Sequence, residues 1–517
     1  MTNFESKVLK YLNINEEELP SLLKEVTYDD IENPYDFLNM EKAVERIKKA
    51  IENKEKIMIY GDYDCDGISA TAILVKMFSY FNIKVGYYIP SRYIDGYGIN
   101  LTRAEQIVDK GYSLVITVDN GVAASEAIEY LESKNIDVIL TDHHEITREL
   151  PKCYTVIHPD LKSSGSTLKQ CGAYVAFMLA TSLLNRVDDY LLVLAMQATI
   201  SDMMPLRSYN RDLIKLGLKI INNHHEYPHF KLTNNYVIDE DTLGFQICPK
   251  INAFGRIREN KSVNDMVKFF ITNIDREQEL LAREIEQVNN ERKTILSNVV
   301  NNIDLSLYQD KKIIIERFDD VSEGVIGLIA ARILNETNKP CAIFTKIHDQ
   351  DILKGSARSI KGFSLSEAFG KTKDLLLVYG GHEEAGGLSL LVDNFSSFKE
   401  KMEDLCEKAT LIKEDEKYIE VDKDEITYQN YCFIKKLSPF GMDYNKPKFL
   451  LKTNNVQVMY IGNNHQHIKG FLSKNASFVG FNLAHLVNDN NLTFVGNINY
   501  DDFKKGENVV FLIDKII

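Results

Sequence analysis

At 517 residues, 44% apolar and 26% charged, the chain can bury sizeable cores and is long enough for about three domains. A formal net charge of −14 excludes a surface that attracts nucleic acid everywhere, so any such surface must be local. Seven scattered cysteines without a Cys-x-x-Cys pair argue against a zinc site and fit a reducing compartment, and the absence of an apolar signal core or a run of membrane-spanning length predicts a cytoplasmic protein.

Residues 1–50 read as charged and helical. Strands and helices then alternate: strand 56–60, helix 69–80, strand 84–89, helix 101–110, strand 113–118, helix 123–134 and strand 136–140. Continuously apolar strands in such an alternation predict a parallel sheet covered on both faces. Ligands of these sheets bind beyond the carboxyl ends of the strands.

The first strand ends in Gly61-Asp62-Tyr63-Asp64-Cys65-Asp66-Gly67. Carboxylates at i, i+2 and i+4 of an extended turn would converge on one side. That crowding is costly unless cations sit among the oxygens. Ser69 is placed to cap the following helix, whose N-terminus would favour an anion at the same site. An EF-hand calcium loop also opens with Asp-x-Asp-x-Asp-Gly, but it needs a bidentate Glu where Ile73 stands. A solvated acidic turn is the plain alternative for this run alone.

Two further strands end alike, one in Asp119-Asn120-Gly121 and one in Thr141-Asp142-His143-His144. A single Asp after a strand is by default a helix cap. Three strands ending in acid or imidazole suggest an oxygen-rich cluster suited to Mn²⁺ or Mg²⁺ rather than Zn²⁺ or Ca²⁺. Asp202, in Ser201-Asp202-Met203-Met204-Pro205-Leu206, would complete it.

Residues 165–225 read as helices over the sheet, and His224, His225 and His229 as solvated loop histidines. From 274 to 305 runs a long helix without Gly or Pro, apolar at 281, 285, 288, 295 and 299: a rigid connector and a domain boundary. The domain at 306–410 mixes strands and helices around Gly355-Ser356-Ala357-Arg358-Ser359 and Gly380-Gly381-His382, where glycines admit a phosphate and Arg forks onto its oxygens. Each alone would more often be a Gly turn.

After an acidic stretch at 414–425, five short strands in 449–513 suit an OB-type barrel. Lysines 435, 436, 446, 448, 452, 469 and 474 are interleaved with Tyr431, Phe433, Phe440, Tyr444, Phe449, Tyr460 and Phe471, a combination that suits single-stranded nucleic acid. A β-domain with a solvated lysine face is the plainer reading. The expected architecture is α/β, divided as 1–273 first domain with a helical N-terminal lead, 274–305 helix, 306–410 second domain and 411–517 OB-type domain.

Asp-x-Asp-x-Asp-Gly, Val118-Asp119-Asn120-Gly121, Asp142-His143-His144 and Ser201-Asp202-Met203-Met204-Pro205-Leu206 resemble, in order, the four motifs of the DHH phosphoesterase superfamily. Pro249 to Arg256, Glu323-Gly324-Val325-Ile326-Gly327, Lys354 to Ser359 and Gly380 to Gly386 resemble its RecJ family of single-strand-specific 5′→3′ exonucleases. The chain departs from that family in lacking tryptophan and in reading Glu383-Glu384-Ala385-Gly386-Gly387 where an Ala-Ala-Gly ending is usual.

The resemblance implies that Asp64, Asp66, Asp119, His143 and Asp202 ligate two Mn²⁺ or Mg²⁺ ions, with Asp119 bridging and Asp62 in support. Two such ions, roughly 3.5–4 Å apart in this type of site, activate a water and stabilise charge on a phosphodiester. It also implies Asp142 fixing an imidazole from outside, and His144 near the scissile phosphate. Arg256 is then expected on DNA phosphate at the mouth of the site, and Ser356, Arg358 and His382 on the 5′-terminal phosphate. Implied partners are single-stranded DNA, a single-strand-binding protein and a RecQ-type helicase, with the enzyme a monomer. A small-molecule phosphodiesterase of the same superfamily and a non-catalytic replication scaffold are the alternatives.

Overall fold

The computed structural model describes residues 1–257, 263–347, 350–412, 416–488, 491–501, 504 and 506–517; the start of the acidic stretch at 414 and 415 lies outside them. The chain forms two compact units, Asn33–Asp202 with Gly217–Glu414, and Met1–Glu32 with Met203–Leu216 and Asp415–Ile517.

The larger unit holds two sheets. Its first contains β1 (Ile57–Tyr60), β2 (Gly86–Tyr88), β3 (Leu114–Val118), β4 (Asp137–Thr141) and β5 (Thr155–Ile157). The order is β2-β1-β3-β4-β5 and every neighbouring pair is parallel. β1 and β3 are buried along their whole length, as continuous apolar strands require. Sequence periodicity misses β5, whose three residues are too few to show a pattern.

The helix after β1 starts earlier than expected, running Cys65–Tyr80. Asp64, not Ser69, caps it: the Asp64 carboxylate accepts from the amides of Asp66 and Gly67 at 2.9 and 3.1 Å. Ser69 lies inside the helix and donates to the Cys65 carbonyl. Asp66 therefore belongs to the first helical turn rather than to an extended one. Helices Gly172–Leu184 and Asp189–Ser201, apolar nearly all round, pack against it. His229 is fully buried against Tyr190 and Phe270, which corrects the solvated-loop reading, while His225 stacks on Tyr236.

The connecting helix spans Asp275–Asn301 and buries Ala282, Ile285, Val288 and Val300. The second sheet holds β6 (Ile314–Arg317), β7 (Cys341–Lys346), β8 (Ile352–Arg358), β9 (Leu376–Gly381) and β10 (Ala385–Leu391), ordered β6-β7-β8-β10-β9. Helix Glu323–Thr337 packs on β7 and β8.

The smaller unit is a seven-stranded sheet, two strands more than expected: β11 (Ile419–Val421), β12 (Phe449–Lys452), β13 (Met459–Ile461), β14 (His467–Phe471), β15 (Ala476–Gly480), β16 (Thr493–Tyr500) and β17 (Val509–Ile516). Residues 1–32 fold with it. Phe4, Val8 and Leu9 enter its core, and the Phe4 ring stacks on Phe449 with centroids 5.6 Å apart.

Candidate active site

The carboxyl ends of β1, β3 and β4 deliver Asp62, Asp119 and Asp142-His143-His144 to one rim of the parallel sheet. Their backbones are locked there. Asn120 donates through Nδ2 to the carbonyls of Tyr60, Gly61 and Val118, tying the end of β3 to that of β1. Asp119 sits at φ +61°, a left-handed conformation that Asp and Asn accept more readily than most residues. Two glycines allow the close approach. A Cβ on Gly67 would lie 2.5 Å from the Asp62 backbone, and one on Gly172 would lie 2.6 Å from the Asp119 side chain.

Through Gly172 the N-terminus of a second helix reaches the site. The Gly172 and Ala173 amides each donate to one Asp66 oxygen, both at 2.7 Å. That leaves a lone pair on each oxygen for another partner. His143 Nε2 lies 3.5 Å from Asp66 Oδ2, 3.1 Å from Asp119 Oδ1 and 3.6 Å from Asp202 Oδ2. The site thus gathers Asp66, Asp119, His143 and Asp202 from four separate stretches of chain.

The chemistry of this donor set fits divalent cations. Asp62 Oδ1 and Asp119 Oδ1 are buried and receive no hydrogen bond. Ligand atoms of Asp62, Asp64 and Asp119 lie within 4.8 Å of one another, and so do those of Asp66, His143 and Asp202. Burial first, and then the neighbouring carboxylates, push Asp62, Asp64 and Asp119 above the ordinary carboxyl range and Asp202 up to about 8. Cations among these oxygens would reverse that penalty.

Asp142 plays a different part. It is buried and accepts from the Val122 amide, from the amides of His143 and His144, and from His144 Nδ1 at 2.8 Å. Burial alone would raise its carboxyl, but the His144 imidazole and the amides hold it below the usual range. His144 responds oppositely: burial would lower it, yet the bond to Asp142 pushes it up to about 9. His143 is lowered, chiefly by burial, and so keeps a neutral nitrogen for a metal.

Other neighbours come from outside these strand ends. The Tyr97 hydroxyl lies 3.0 Å from His144 Nδ1, and Asn252 accepts from the Cys65 amide at 2.8 Å. Gly255 packs so closely that a Cβ would lie 2.5 Å from the Tyr63 carbonyl, which sets Arg256 beside the acidic turn. Arg256 is half-buried; burial first, then the Arg92 charge, lower its pKa, and Arg292 acts in the same sense. Arg92 stacks on Tyr63 at 4.2 Å, and the Nε atoms of Arg92 and Arg292 are buried without partners. Arg256 Nη1 donates to the Gly324 carbonyl at 3.3 Å, so the unmet donors beside it are those of Arg92 and Arg292. In sequence Arg256 is marked by the glycine before it and by the Pro249 to Arg256 resemblance, and Arg92 and Arg292 by nothing.

In the second sheet Arg358 Nη1 lies 3.3 Å from Ser356 Oγ, and Gly327 of the covering helix leaves room beside both. His382 is exposed at the turn between β9 and β10; its amide bonds to Ala385, the residue that pairs with Arg358. In the smaller unit the anticipated aromatic platform divides. Phe440 and Phe449 are core, Tyr431, Phe433 and Tyr444 pack against it, and Tyr460 and Phe471 remain exposed.

Family models match in the same order along the chain: the DHH family N-terminal domain at 56–204, the DHHA1 domain at 310–408 and the RecJ OB domain at 419–515. The single-stranded-DNA-specific exonuclease RecJ of Bacillus subtilis is 34% identical over 477 residues, covering 88% of this chain; the chain spans 60% of that relative's length. The structure of RecJ with Mn²⁺ from Thermus thermophilus superposes with a TM-score of 0.85 at 24% identity, over 99% of this chain and 76% of the other. An exonuclease RecJ bound to manganese matches at 28% identity and a TM-score of 0.63, over 75% of this chain and 96% of the other. Three consecutive domain matches, the order of the motifs and the fold lead to one conclusion: the chain belongs to the RecJ family of DHH phosphoesterases.

Proposed function

We propose that this chain is a divalent-cation-dependent exonuclease that hydrolyses single-stranded DNA from its 5′ end and releases 5′-mononucleotides, in DNA repair and recombination. The observation that carries the reading is the convergence of Asp66, Asp119 and Asp202 on His143 Nε2, all within 3.6 Å, beside buried carboxylate oxygens that lack hydrogen bonds. In this reading Asp64, Asp66, Asp119, His143 and Asp202 would hold two Mn²⁺ or Mg²⁺ ions, with Asp62 in support. The manganese-bound relative supports that choice of ion. When bound, such ions supply a nucleophilic water at neutral pH and neutralise charge at the phosphoryl group.

The chain's own groups do the rest. Asp142 keeps His144 protonated, so His144 can give its proton to the leaving 3′-oxygen. Arg256, Arg92 and Arg292 offer guanidiniums to phosphates of the strand. Ser356, Arg358 and His382 hold the 5′-terminal phosphate and so register the strand end. In the C-terminal domain, Tyr460 and Phe471 stack on bases while lysines neutralise phosphates, which makes binding salt-sensitive. The protein works as a cytoplasmic monomer alongside a single-strand-binding protein and a RecQ-type helicase, a setting that its seven free cysteines suit. Among the described residues no helix is long and apolar enough to cross a membrane.

The test is a 5′-labelled single strand, the matching duplex and a dinucleotide, each with Mn²⁺ and then with chelator. Labelled mononucleotide from the single strand alone, abolished by chelator, is expected. Hydrolysis confined to the dinucleotide would replace this reading with a small-molecule phosphodiesterase, and binding without release would replace it with a scaffold.

A further inference from the structure

β5 carries no recognisable motif, yet its carboxyl end delivers His158 next to the Asp142-His143-His144 segment that follows β4. His158 is fully buried. The Asp160 amide donates to its Nδ1 at 3.1 Å, and its Nε2 lies 2.9 Å from the carbonyl oxygen of His144. A backbone amide can only donate and a carbonyl can only accept, so Nδ1 is bare and Nε2 carries the proton. The imidazole is a neutral clamp with one tautomer.

The clamp closes on a segment outside regular secondary structure. His144 is tied through its amide to Asp142 and through its carbonyl to His158, and residues 145–150 that follow form no regular element. The ring of His144 is thereby left to Asp142 and Tyr97, and the ring of His143, one residue earlier, to the three carboxylates. We propose that His158 is a positioning residue: its Nε2–H holds the His144 carbonyl and so keeps both imidazoles turned into the site. The inference rests on the metal-dependent phosphodiesterase reading of that site.

Two substitutions separate this role from mere support of the fold. Asn sets its carboxamide near the Nδ1 position, so His158→Asn keeps an acceptor for the Asp160 amide and loses the donor. Gln reaches the Nε2 position, so His158→Gln keeps a donor for His144. With Mn²⁺ and a single-stranded oligonucleotide, His158→Asn is expected to lower kcat about ten- to a hundredfold with little change in KM, and His158→Gln to recover it to within about threefold. Calorimetric Mn²⁺ titration of the full chain should show the same contrast, about tenfold weaker for Asn and near wild type for Gln. Equal behaviour of the two variants, both intact or both impaired, would overturn the clamp. A wild-type chain that binds Mn²⁺ but cleaves no single strand would instead overturn the nuclease reading, and the Mn²⁺ titration would still decide the role of His158.

Discussion

The rim of the parallel sheet and the lysine- and aromatic-rich stretch 431–474 both carry the expectation of engaging DNA, and they are built on opposite principles. At the rim Asp62, Asp119 and His143 follow closely on buried strands, so their positions are set by backbone pairing: β1, β3 and β4 are in register and their ends must coincide. On the C-terminal sheet the rings and lysines are spread over 431–474, and nothing local decides which of them face solvent. Phe449 pairs with Gly496 and is 1% exposed, whereas Phe471, on β14, is 54% exposed. A site at strand ends is specified by a few residues; a binding face is specified by the whole core behind it.

The sharpest way to break this comparison is at Asp119. Asn tolerates the left-handed backbone and removes only the charge. Asp119→Asn should cost on the order of a thousandfold in kcat for single-stranded DNA. Stability should move the other way: metal-free Asp119→Asn should be about 1–3 kcal/mol more stable than the metal-free wild type, because one of several crowded carboxylates is gone. A chemical melt of both forms with and without Mn²⁺ checks this, and a variant no more stable than wild type without metal would mean the acids are not in conflict.

On the C-terminal sheet the prediction takes the form of a pair. Phe449→Ala should destabilise its unit by about 3–5 kcal/mol, since it removes a ring stacked on Phe4 within the core. Phe471→Ala should leave the melt almost unchanged and weaken binding of a single-stranded oligonucleotide by about 1–3 kcal/mol. Intact DNA affinity in Phe471→Ala would move the binding face elsewhere on the sheet.

Between these extremes lies Arg358, which is half-buried beside Ser356 rather than on an open face. Arg358→Ala should erode the preference for 5′-phosphorylated over 5′-hydroxyl ends by about ten- to a hundredfold, the worth of a charge-assisted contact. Competition between the two oligonucleotides measures it. An unchanged preference would detach the second sheet from recognition of the strand end.

The parts of the site that sequence reveals are those whose chemistry repeats at short spacing. Asp62, Asp64 and Asp66 announce themselves, but their geometry does not: Asp64 bonds the amides of Asp66 and Gly67, so the helix begins within the acidic run and Asp66 turns onto the N-terminus of another helix. Arg92 and Arg292 stand 200 residues apart and meet only around Arg256, a convergence no local pattern encodes. The same holds for His158, delivered by a strand of three residues, and for the first helix, whose apolar face is plain while its partner, Phe449, lies at the other end of the chain. Periodicity says which face of an element is buried and is silent on what buries it.

His229 shows what that silence hides, and it gives the smallest effect. It follows Pro228 in a polar stretch that reads as a loop, yet it is enclosed by Tyr190 and Phe270, and neither ring nitrogen has a partner. Burial alone lowers its pKa to about 3. The unfolded chain would titrate near the ordinary value of about 6.5, so between these limits the unfolded state binds the extra proton and stability must fall as pH falls. The contribution is fully present above about pH 6.5 and is lost at up to about 1.4 kcal/mol per pH unit below it. His229→Phe removes the titrating group while keeping an aromatic ring in the same apolar enclosure. Its denaturant midpoint should therefore decline less steeply than that of wild type from about pH 6.5 to about pH 5, and parallel slopes would show that water reaches the imidazole after all.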